Sequence, residues 1–486
     1  MSGKLALRRR RRNTRRMFKG PRVFLVATAM AGIACSKHET SLAPDPGLSS
    51  GGEMTTAPSG GGQTGGAGSG GVNSGGVNSG GASSGGQDSG ALAGAGSSAV
   101  EVRRWGDPIV VERAPVGAGY ERLVLSEKFV AEGATFGDFD NDGNDDVIAG
   151  SHLYLGPDFD LARPFREPVE FDPLGYSDNF FAYDFDFDRD GLLDVLIVGF
   201  PGESAGWFEN PGDAEGYWIR HEIFALVDNE APAFVDLVGD SEPELVFNSL
   251  GAFGWSSPTS DDPFLFHPVS PDRGYQRFTH GLGVGDVNAD GRNDILAAAG
   301  VWLQPSELGQ ADAAWQFSAQ MFGGGGAQMI VRDLSGDACP DVVTSLDAHG
   351  YGVSWFEQID CGAQELSFVE HNISGTPDAP GPTGIALHEP HALTLVDTDG
   401  DGLQDIVTGE RFWAHVPEER NFADPATLVS FRRVQDDAGT RFEPDVIDDS
   451  SGVGTQVLAR HLRGDPRASI VVANKKGVFV FLPLPD

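Results

Sequence analysis

One pattern recurs seven times between residue 133 and the end of the chain: a short β-prone run, an Asp-rich turn and a second β-prone run. The clearest turns read DFDNDGNDD, DFDRDGLLD, DVNADGRND and DTDGDGLQD. The seven turns start at positions 138, 186, 236, 286, 333, 397 and 461, which gives spacings of 48, 50, 50, 47, 64 and 64 residues. That spacing accommodates four short strands with their turns, the size of one propeller blade. The sequence therefore predicts an all-β fold, a seven-bladed β-propeller.

The seventh copy is too short to form four strands by itself. Only two strand-like runs, SIVVAN and GVFVFL, follow its turn before residue 486. A sheet edge left open there would expose unpaired backbone groups. We therefore predict that a segment ahead of the first turn supplies the missing outer strand and closes the ring. The candidates are residues 121–130 and DPIVVER at residues 107–113.

The first hundred residues differ in composition from the rest. Residues 1–35 contain a basic region, then the apolar run VFLVATAMAGIA and then Cys35, which is the order found in an export signal. TRRMFK resembles a twin-arginine motif and GIAC resembles a lipoprotein cleavage box, which implies a lipid on Cys35 and a lipoprotein at the outer membrane or cell surface. An ordinary cleaved signal is the alternative. Residues 36–103 are rich in Gly and Ser and predict a disordered linker, so the propeller is assigned to residues 104–486.

The chain is strongly acidic, with a formal net charge of -37. Such a surface repels nucleic acids and anionic lipids, so we expect no nucleic-acid partner and membrane contact only through a lipid on Cys35. Clustered carboxylates favour multivalent cations instead. The sequence favours no particular oligomeric state.

The turns follow the pattern D-x-[DN]-x-D-G-x-x-D, in which oxygen side chains at alternate positions converge and glycine permits a sharp bend. Several oxygen ligands around one point suit calcium, and we expect the ions to be structural. Acidic turns that are merely solvated are the alternative. The third turn has Val238 at a ligand position, and the seventh has His461 and Arg463 there, so we expect no ion in the seventh. The predicted ligands are Asp138, Asp140, Asp142 and Asp146; Asp186, Asp188, Asp190 and Asp194; Asp286, Asn288, Asp290 and Asp294; Asp397, Asp399, Asp401 and Asp405; and, in a weaker fifth site with Ala338 at the glycine position, Asp333, Asp337 and Asp341.

These turns resemble the calcium loops of FG-GAP and VCBS repeat propellers. Longer phrases, among them EGATFGDFDNDG, FPGESAGWFENPG, THGLGVGDVNADGR and HALTLVDTDGDGLQDIVTGERFWAH, resemble a bacterial exported subfamily of VCBS-repeat proteins over roughly residues 120–480. The chain is also similar to the propeller domain of aldos-2-ulose dehydratases, which are metal-dependent sugar-modifying enzymes. The resemblance implies a propeller with calcium loops and, through the dehydratases, metal-dependent chemistry on a sugar.

A second set of residues is expected at the opposite face of the propeller. The residue six positions before each turn should lie where the first strand of its repeat begins, about 20 Å from the turn. The turn between strands two and three returns to the same face. Neutral imidazoles with carboxylates suit Zn, Mn or Fe. The first position gives Glu132, Glu230, His280 and His391, with polar Asn179, Gln328 and Gln456 near three others, and the second gives His349, His415 and Arg411.

Each of these histidines could equally be a hydrogen-bonded structural side chain. Taken together, we interpret His280, His391, His349, His415, Glu132, Glu230 and Arg411 as a candidate catalytic set around a transition metal. The sequence contains no nucleophile motif such as G-x-S-x-G and no phosphate-binding loop.

Two cysteines flank a predicted hairpin in the fifth repeat. Paired residues of an antiparallel hairpin have a constant sum of residue numbers, and Cys339 with Cys361 gives 339 + 361 = 700, a hairpin centred on Gly350. In an exported protein, two cysteines that face each other predict a disulfide.

Three functions are compatible with these features. The first hypothesis is a surface-tethered binding module for a glycan or protein ligand. The second is a metal-dependent lyase or dehydratase acting on a sugar at the His/Glu cluster. The third is a structural repeat protein that binds only calcium. A fold by itself does not decide among them.

Overall fold

The structure is a computed structural model that describes residues 106–485 apart from 213, 261, 309–313, 363–364, 413–424 and 463. The predicted export signal (1–35) with Cys35, the linker (36–103), His415 and Arg463 lie outside the described residues. Among the residues described, no helix has the length and hydropathy needed for a membrane span.

The described residues form 29 strands and one short 3-10 turn, Gly117–Gly119, so the fold is nearly all-β. Repeats are numbered here by their Asp-rich turns. Ahead of repeat one lie β1 (Asp107–Pro108), β2 (Glu112–Pro115) and β3 (Tyr120–Ser126). Repeat one forms β4 (Ala134–Gly137), β5 (Asp146–Ala149), β6 (His152–Leu155) and β7 (Leu161–Pro164). Repeat two forms β8 (Phe181–Phe185), β9 (Asp194–Val198), β10 (Glu203–Glu209) and the first half of β11 (Ile219–Val235).

The later repeats follow the same order. Repeat three uses the second half of β11, β12 (Glu244–Ser249), β13 (Ala252–Ser256) and β14 (His267–Pro268). Repeat four forms β15 (Leu282–Gly285), β16 (Asp294–Ala297), β17 (Gly300–Leu303) and β18 (Gln316–Ala319). Repeat five forms β19 (Gln328–Arg332), β20 (Asp341–Ser345), β21 (Val353–Gln358) and β22 (Phe368–Ser374). Repeat six forms β23 (Leu393–Val396), β24 (Asp405–Gly409), β25 (Leu428–Asp436) and β26 (Gly439–Asp448), and repeat seven forms β27 (Val457–Arg460), β28 (Ser469–Asn474) and β29 (Gly477–Pro483).

The second strand of a repeat is covered on both faces, and its sequence reflects this. DVIA in β5 and DVLIV in β9 are buried at every position. A strand with both faces covered needs apolar side chains throughout, whereas a half-exposed strand alternates. The Asp that starts each of these strands is also buried, which requires hydrogen-bond partners for its carboxylate.

The first strands of the repeats are arranged in a ring. Strand β4 contacts β8 on one side and β27 on the other, and the contacts continue from β11 to β15, β19, β23 and β27. Strands β15 and β19 even pair in parallel, with Leu282 opposite Gln328. Successive strands within each repeat pair antiparallel and curl outwards from this ring. The arrangement is that of a β-propeller.

The N-terminal segment closes the ring, as predicted from the short seventh repeat. Strand β3 pairs antiparallel with β29, with Val124 opposite Phe479 and Arg122 opposite Phe481. Strand β2 adds outside β3, whereas β1 joins β7 at the edge of repeat one. Residues 121–130 therefore supply the outer strand of repeat seven, whereas DPIVVER is divided between the edges of repeats one and seven. Phe136, which is fully buried, packs between repeats one and seven, and burial of such a side chain contributes about 1.5–3 kcal/mol.

Four side chains in or just after a third strand link their repeat to the turn of the preceding repeat. Each donates a hydrogen bond to a backbone carbonyl there, and its own backbone N–H donates to the buried Asp of its own turn. Turn geometry and contact between repeats are thereby coupled. The donor-to-acceptor pairs are Asn210 to Phe139 at 2.8 Å, Gln304 to Leu237 at 2.9 Å, Gln358 to Val287 at 2.7 Å and Arg433 to Asp333 at 3.3 Å.

The predicted disulfide between Cys339 and Cys361 is present, with Cα atoms 5.6 Å apart. The predicted register is wrong by one residue at the hairpin centre. Val343 pairs with Trp355, so paired residues sum to 698 and the hairpin is centred on His349. The disulfide forms beyond the end of the paired strands, where the backbone no longer follows the ladder.

Loss of this disulfide is expected to lower the free energy of unfolding by about 2–4 kcal/mol, because the bond restricts the unfolded chain. Urea unfolding of the oxidised protein, the reduced protein and Cys361→Ser measures the effect. Cys361→Ser should match the reduced protein and should not respond further to reductant. Equal midpoints with and without reductant would show that the bond contributes nothing.

Candidate functional site

Three histidines predicted to meet at one face do so. His280 precedes β15, His349 lies at the tip of the β20–β21 hairpin, and His391 precedes β23. One ligand-capable nitrogen from each ring lies within 4.8 Å of the others. The ring centroids are 4.6 Å apart for His280 and His349, 5.0 Å for His349 and His391 and 5.5 Å for His280 and His391.

A buried ion-pair network adjoins the histidines. Glu230 Oε2 lies 3.4 Å from His280 Nε2 and 3.3 Å from Arg411 Nη1. The other end of the guanidinium donates to Glu132 Oε1 at 2.9 Å, and Ser177 donates to the second oxygen of Glu132. Burial alone would raise the pKa of Glu230, but the adjacent His280 ring and the charge of Arg411 hold that pKa well below its usual range. Glu230 is therefore an ionised carboxylate beside the imidazoles.

His391 is oriented as a neutral ligand. Burial, and then the nearby charge of Arg411, hold the pKa of His391 well below its usual value. Its Nδ1 lies 3.1 Å from the carbonyl oxygen of Glu389, so Nδ1 carries the proton and donates it there. Its Nε2 is buried and has no hydrogen-bond partner among the described residues. That lone pair is available to a metal.

Lys475 is a functional candidate that the sequence reasoning missed. It lies in the two-residue turn between β28 and β29 and is 7% exposed, with its Nζ 4.7 Å from the centre of the Tyr176 ring. Burial lowers its pKa to about 8, an effect that Glu132 partly offsets. The rule that located His349 and Arg411, the turn between strands two and three, points to Lys475 as well when it is applied to repeat seven.

Gln328 and Gln456, two of the polar residues near the remaining strand starts, hydrogen-bond to the backbone. Gln456 exchanges two hydrogen bonds with the backbone of Ala182, at 3.0 and 2.9 Å. Gln328 donates to the carbonyl of Thr455 and accepts from Leu393 N–H. These side chains connect first strands of different repeats and consolidate the ring next to the histidines.

The Asp-rich turns lie at the opposite ends of the first strands. In three of them, carboxylate oxygens from the first, third and ninth positions come within 4.8 Å of one another, whereas the fifth-position acids Asp142, Asp190 and Asp401 lie outside these groups. Asp401 and its counterparts instead accept a backbone N–H two residues on. The converging sets are Asp138, Asp140 and Asp146; Asp186, Asp188 and Asp194; and Asp397, Asp399 and Asp405.

The ninth-position acid of each turn is buried and anchors it. Asp146 accepts N–H groups from Phe139 and Gly156, which belong to the turn and to the third strand's end. Burial raises the pKa of Asp146, Asp194 and Asp294 to about 7. It raises the pKa of Asp405 to about 6 and that of Glu244, in the third turn, to about 7. Carboxylates with these pKa values carry charge poorly unless a cation compensates them.

The fourth and fifth turns contain backbone-to-carboxylate hydrogen bonds like those of the first and second turns. Asp286 accepts N–H groups from Asp290 and Gly291, Asn288 accepts from Asp290, and Asp290 is ion-paired with Arg292. In the fifth turn, Asp333 accepts from Ala338, Asp337 accepts from Cys339, and Asp341 accepts from Leu334. Ala338 takes the left-handed backbone that glycine adopts elsewhere, with φ 70°. Its side chain makes that backbone cost about 1–2 kcal/mol.

No protein-family model matches the chain, and none of the curated proteins matches it. Among solved structures, the chain is similar to BBS1N in a complex with ARL6DN, at 10% identity over 79% of this chain and 98% of that one, with a TM-score of 0.42. It is similar to YCF48 from Cyanidioschyzon merolae, at 12% identity over 77% and 98%, with a TM-score of 0.37. It is also similar to the V. cholerae biofilm matrix protein Bap1, at 13% identity over 72% and 78%, with a TM-score of 0.33. The fold assignment therefore rests on the strand pairing and ring closure themselves.

Proposed function

We propose that this chain is an exported, calcium-stabilised β-propeller that holds a transition-metal ion at the His/Glu cluster and acts as a lyase or dehydratase on a sugar. The observation that carries the proposal is the approach of His280, His349 and His391 to one another beside the ionised Glu230. The residues come from four different repeats, so the chain folds to bring them together. A purely structural role would not require a buried histidine nitrogen without a hydrogen-bond partner among the described residues, as in His391.

We infer seven blades, one for each repeat, and membership of the FG-GAP/VCBS repeat proteins. The closing pair of β3 with β29 and the contact of β27 with β4 support the blade count, because they join the last repeat to the first. The convergence of acids in three turns supports calcium ions there. Export, by the twin-arginine route, and a lipid on Cys35 complete the proposal and depend on the N-terminal sequence.

The donors fit a divalent transition metal better than calcium. Three imidazole nitrogens and one carboxylate are a common set for Zn, Mn or Fe, whereas calcium takes oxygen ligands. The charge also fits, because the buried carboxylates Glu132, Glu230 and Glu389 outnumber the buried cations Arg411 and Lys475. Uncompensated buried charge is costly, and a divalent cation would offset it.

Dehydration of a sugar next to a carbonyl removes a C–H proton and expels the β-hydroxyl group as water, which needs a base, an acid and an electrophile. A bound divalent ion would supply the electrophile by polarising the carbonyl oxygen. Lys475, whose pKa is about 8, can give or take a proton near neutral pH. Glu132 is fixed by Arg411 and Ser177 and keeps the guanidinium in place beside Glu230.

A second candidate function, the binding module for a glycan or protein ligand, is favoured by a cavity of about 500 Å³. Its walls are the hairpin that carries His349 and the turn after β22, and they include Tyr351, Asn372 and Pro380. Among the described residues, no charged side chain lines it. On a chain this acidic, an uncharged cavity suits a neutral ligand such as a sugar.

Metal analysis of the purified, reconstituted protein in excess calcium tests the primary function. We expect about one transition-metal ion per chain in addition to calcium, held by a four-donor site. His280→Ala and His391→Ala should lose that ion and retain calcium. His221→Ala is the matched control, because His221 stacks on Trp207 in outer strands and should leave metal content unchanged. Calcium alone in the reconstituted protein would contradict the enzyme and leave the binding module as the better account.

A further inference from the structure

The backbone of Glu389 has an unfavourable conformation in the middle of the candidate site. Its φ is 52°, in the left-handed region, and it is 4% exposed. That region costs a residue with a side chain about 1–2 kcal/mol. The next residue is Pro390, which further disfavours anything but an extended conformation at Glu389. The surrounding structure must hold this conformation against its own preference.

Three hydrogen bonds of the Glu389 peptide groups hold it there, and all three lead to candidate site residues. Its N–H donates to the carbonyl of Gly350 at 2.9 Å, next to His349 at the hairpin tip. Its carbonyl accepts the backbone N–H of Arg411 at 3.1 Å. The same carbonyl lies 3.1 Å from His391 Nδ1 and accepts its proton. One strained residue therefore contacts the segments that carry His349, His391 and Arg411.

The contact with His391 decides which imidazole nitrogen is free. With the proton on Nδ1 and donated to the carbonyl, Nε2 keeps its lone pair, in a ring that has a ligand-capable nitrogen within 4.8 Å of those of His280 and His349. A hydrogen bond from the non-ligating nitrogen to a carbonyl is the usual way in which a metal-binding histidine is oriented. An extended backbone at Glu389 would turn its carbonyl away and release both His391 and the N–H of Arg411.

We propose that Glu389 is a positioning residue of the metal centre, and that it acts through its left-handed backbone rather than through its carboxylate. This inference rests on the proposed function in that the centre it orients is the proposed metal site. Glu389 places the carbonyl that sets the tautomer of His391 and fixes the His349 hairpin at the same time. The strained backbone of Glu389 keeps the ligands in position before the metal binds.

Three substitutions of Glu389 separate backbone from side chain. Glu389→Asn and Glu389→Gly remove the carboxylate but tolerate the left-handed region, which both residues adopt readily. Glu389→Val also removes the carboxylate, but a β-branched residue is strongly disfavoured there. If the backbone is what matters, Asn and Gly should behave like the wild type and Val should not.

Cobalt(II) titration of the full chain in excess calcium, followed by visible absorption, measures the affinity of the histidine site. We expect Glu389→Asn and Glu389→Gly to bind within about threefold of the wild type and Glu389→Val to bind about tenfold or more weakly, as for other residues that support metal ligands. Asp360→Val is the matched control. Asp360 is also left-handed, with φ 60°, but it lies after β21 and next to Cys361, which is bonded to Cys339 in the fifth turn, so its substitution should lower stability without changing cobalt affinity.

A measurement without metal distinguishes this inference from the proposed function. The ¹⁵N shifts of the His391 ring should report the Nδ1-protonated tautomer in the wild type, Asn and Gly proteins and a mixture of tautomers in Val. The inference would be overturned if Glu389→Asn and Glu389→Gly lost both the cobalt affinity and the Nδ1-protonated tautomer of His391. It would also be overturned if Glu389→Val folded and kept both properties. If Glu389→Val does not fold, the cobalt affinity and the His391 tautomer of Glu389→Asn and Glu389→Gly decide the question. A wild type with the expected tautomer but no cobalt binding would overturn the metal centre and leave the orienting role of Glu389 standing.

Discussion

Replacing Arg411 by methionine is expected to lower the free energy of unfolding by about 3–5 kcal/mol, because it leaves two buried carboxylates without their shared partner. The Arg411 side chain is 3% exposed, and it contacts Glu132 and Glu230, which are 1% and 7% exposed. Glu132 would keep its hydrogen bonds from Ser177, and Glu230 would keep His280. Neither neighbour supplies the permanent charge of a guanidinium.

An exposed ion pair of the same chain provides the control. Arg189 pairs with Glu242 at 2.7 Å, but its side chain is 66% exposed. Arg189→Met should change the free energy of unfolding by less than about 1 kcal/mol. Urea unfolding of both variants gives the comparison, and adding Glu132→Gln to Arg411→Met should recover part of the loss. Equal, small effects of Arg411→Met and Arg189→Met would show that the buried network does not hold the site together.

The second large effect concerns calcium and pH. Removing calcium with a chelator is expected to destabilise the protein much more at pH 8 than at pH 5. Each filled site contributes about 2.7 kcal/mol when free calcium is 100 times its dissociation constant. Several turns with converging acids would therefore contribute several kcal/mol together at pH 8. At pH 5, removing calcium from the same turns should lower the stability of the protein far less.

The direction of this pH dependence follows from the buried ninth-position acids. Asp146, Asp194 and Asp294 have folded-state pKa values of about 7, above the value of about 3.9 of an unfolded chain. Their contribution to stability is complete below the unfolded pKa and is lost as pH rises through 7. The chelated protein should therefore weaken between pH 5 and pH 8. A calcium ion bound in the turn would replace the proton, so we expect the protein to keep its stability over the same pH range when calcium is present.

Thermal unfolding with calcium and with chelator, at pH 5 and pH 8 and at constant ionic strength, measures this difference. Sodium chloride in place of calcium controls for screening of the net charge of -37. The gap between the two melting temperatures should widen as pH rises. A gap that is equal at both pH values would show that the ninth-position acids do not couple protons to calcium.

The parts of the fold that could be predicted depend on local periodicity. The spacing of the Asp-rich turns located the repeats, and counting six residues back from a turn placed His280 and His391 at the far ends of their first strands. Strands are extended and regular, so such counting transfers directly to space. The same counting pointed to Gln328 and Gln456 beside two other strand starts, and their amides bond to the backbone of other repeats. The orientation of a side chain depends on tertiary packing, which cannot be derived from the spacing of residues in the sequence.

Other parts depend on contacts between distant residues. Arg411 reaches Glu230 and Glu132, which lie 181 and 279 positions away, and no local pattern pairs them. The fifth-position acids of the turns, such as Asp142, matched the sequence pattern but hydrogen-bond within their own turn. Lys475 was missed because the seventh repeat departs from the pattern of the others. Its turn is nevertheless of the same kind as the turn that carries His349. The strain at Glu389 became visible only with its dihedral angle, since nothing in HEPH indicates a left-handed residue.

The central claim is that His280, His349 and His391 hold a transition metal with Glu230. Anomalous diffraction from crystals of the reconstituted protein, recorded on both sides of the metal absorption edge, tests it most directly. We expect one edge-dependent peak about 2.0–2.1 Å from a nitrogen of each histidine, with calcium peaks confined to the Asp-rich turns. Calcium peaks in the turns with no edge-dependent peak among the three imidazoles would contradict it.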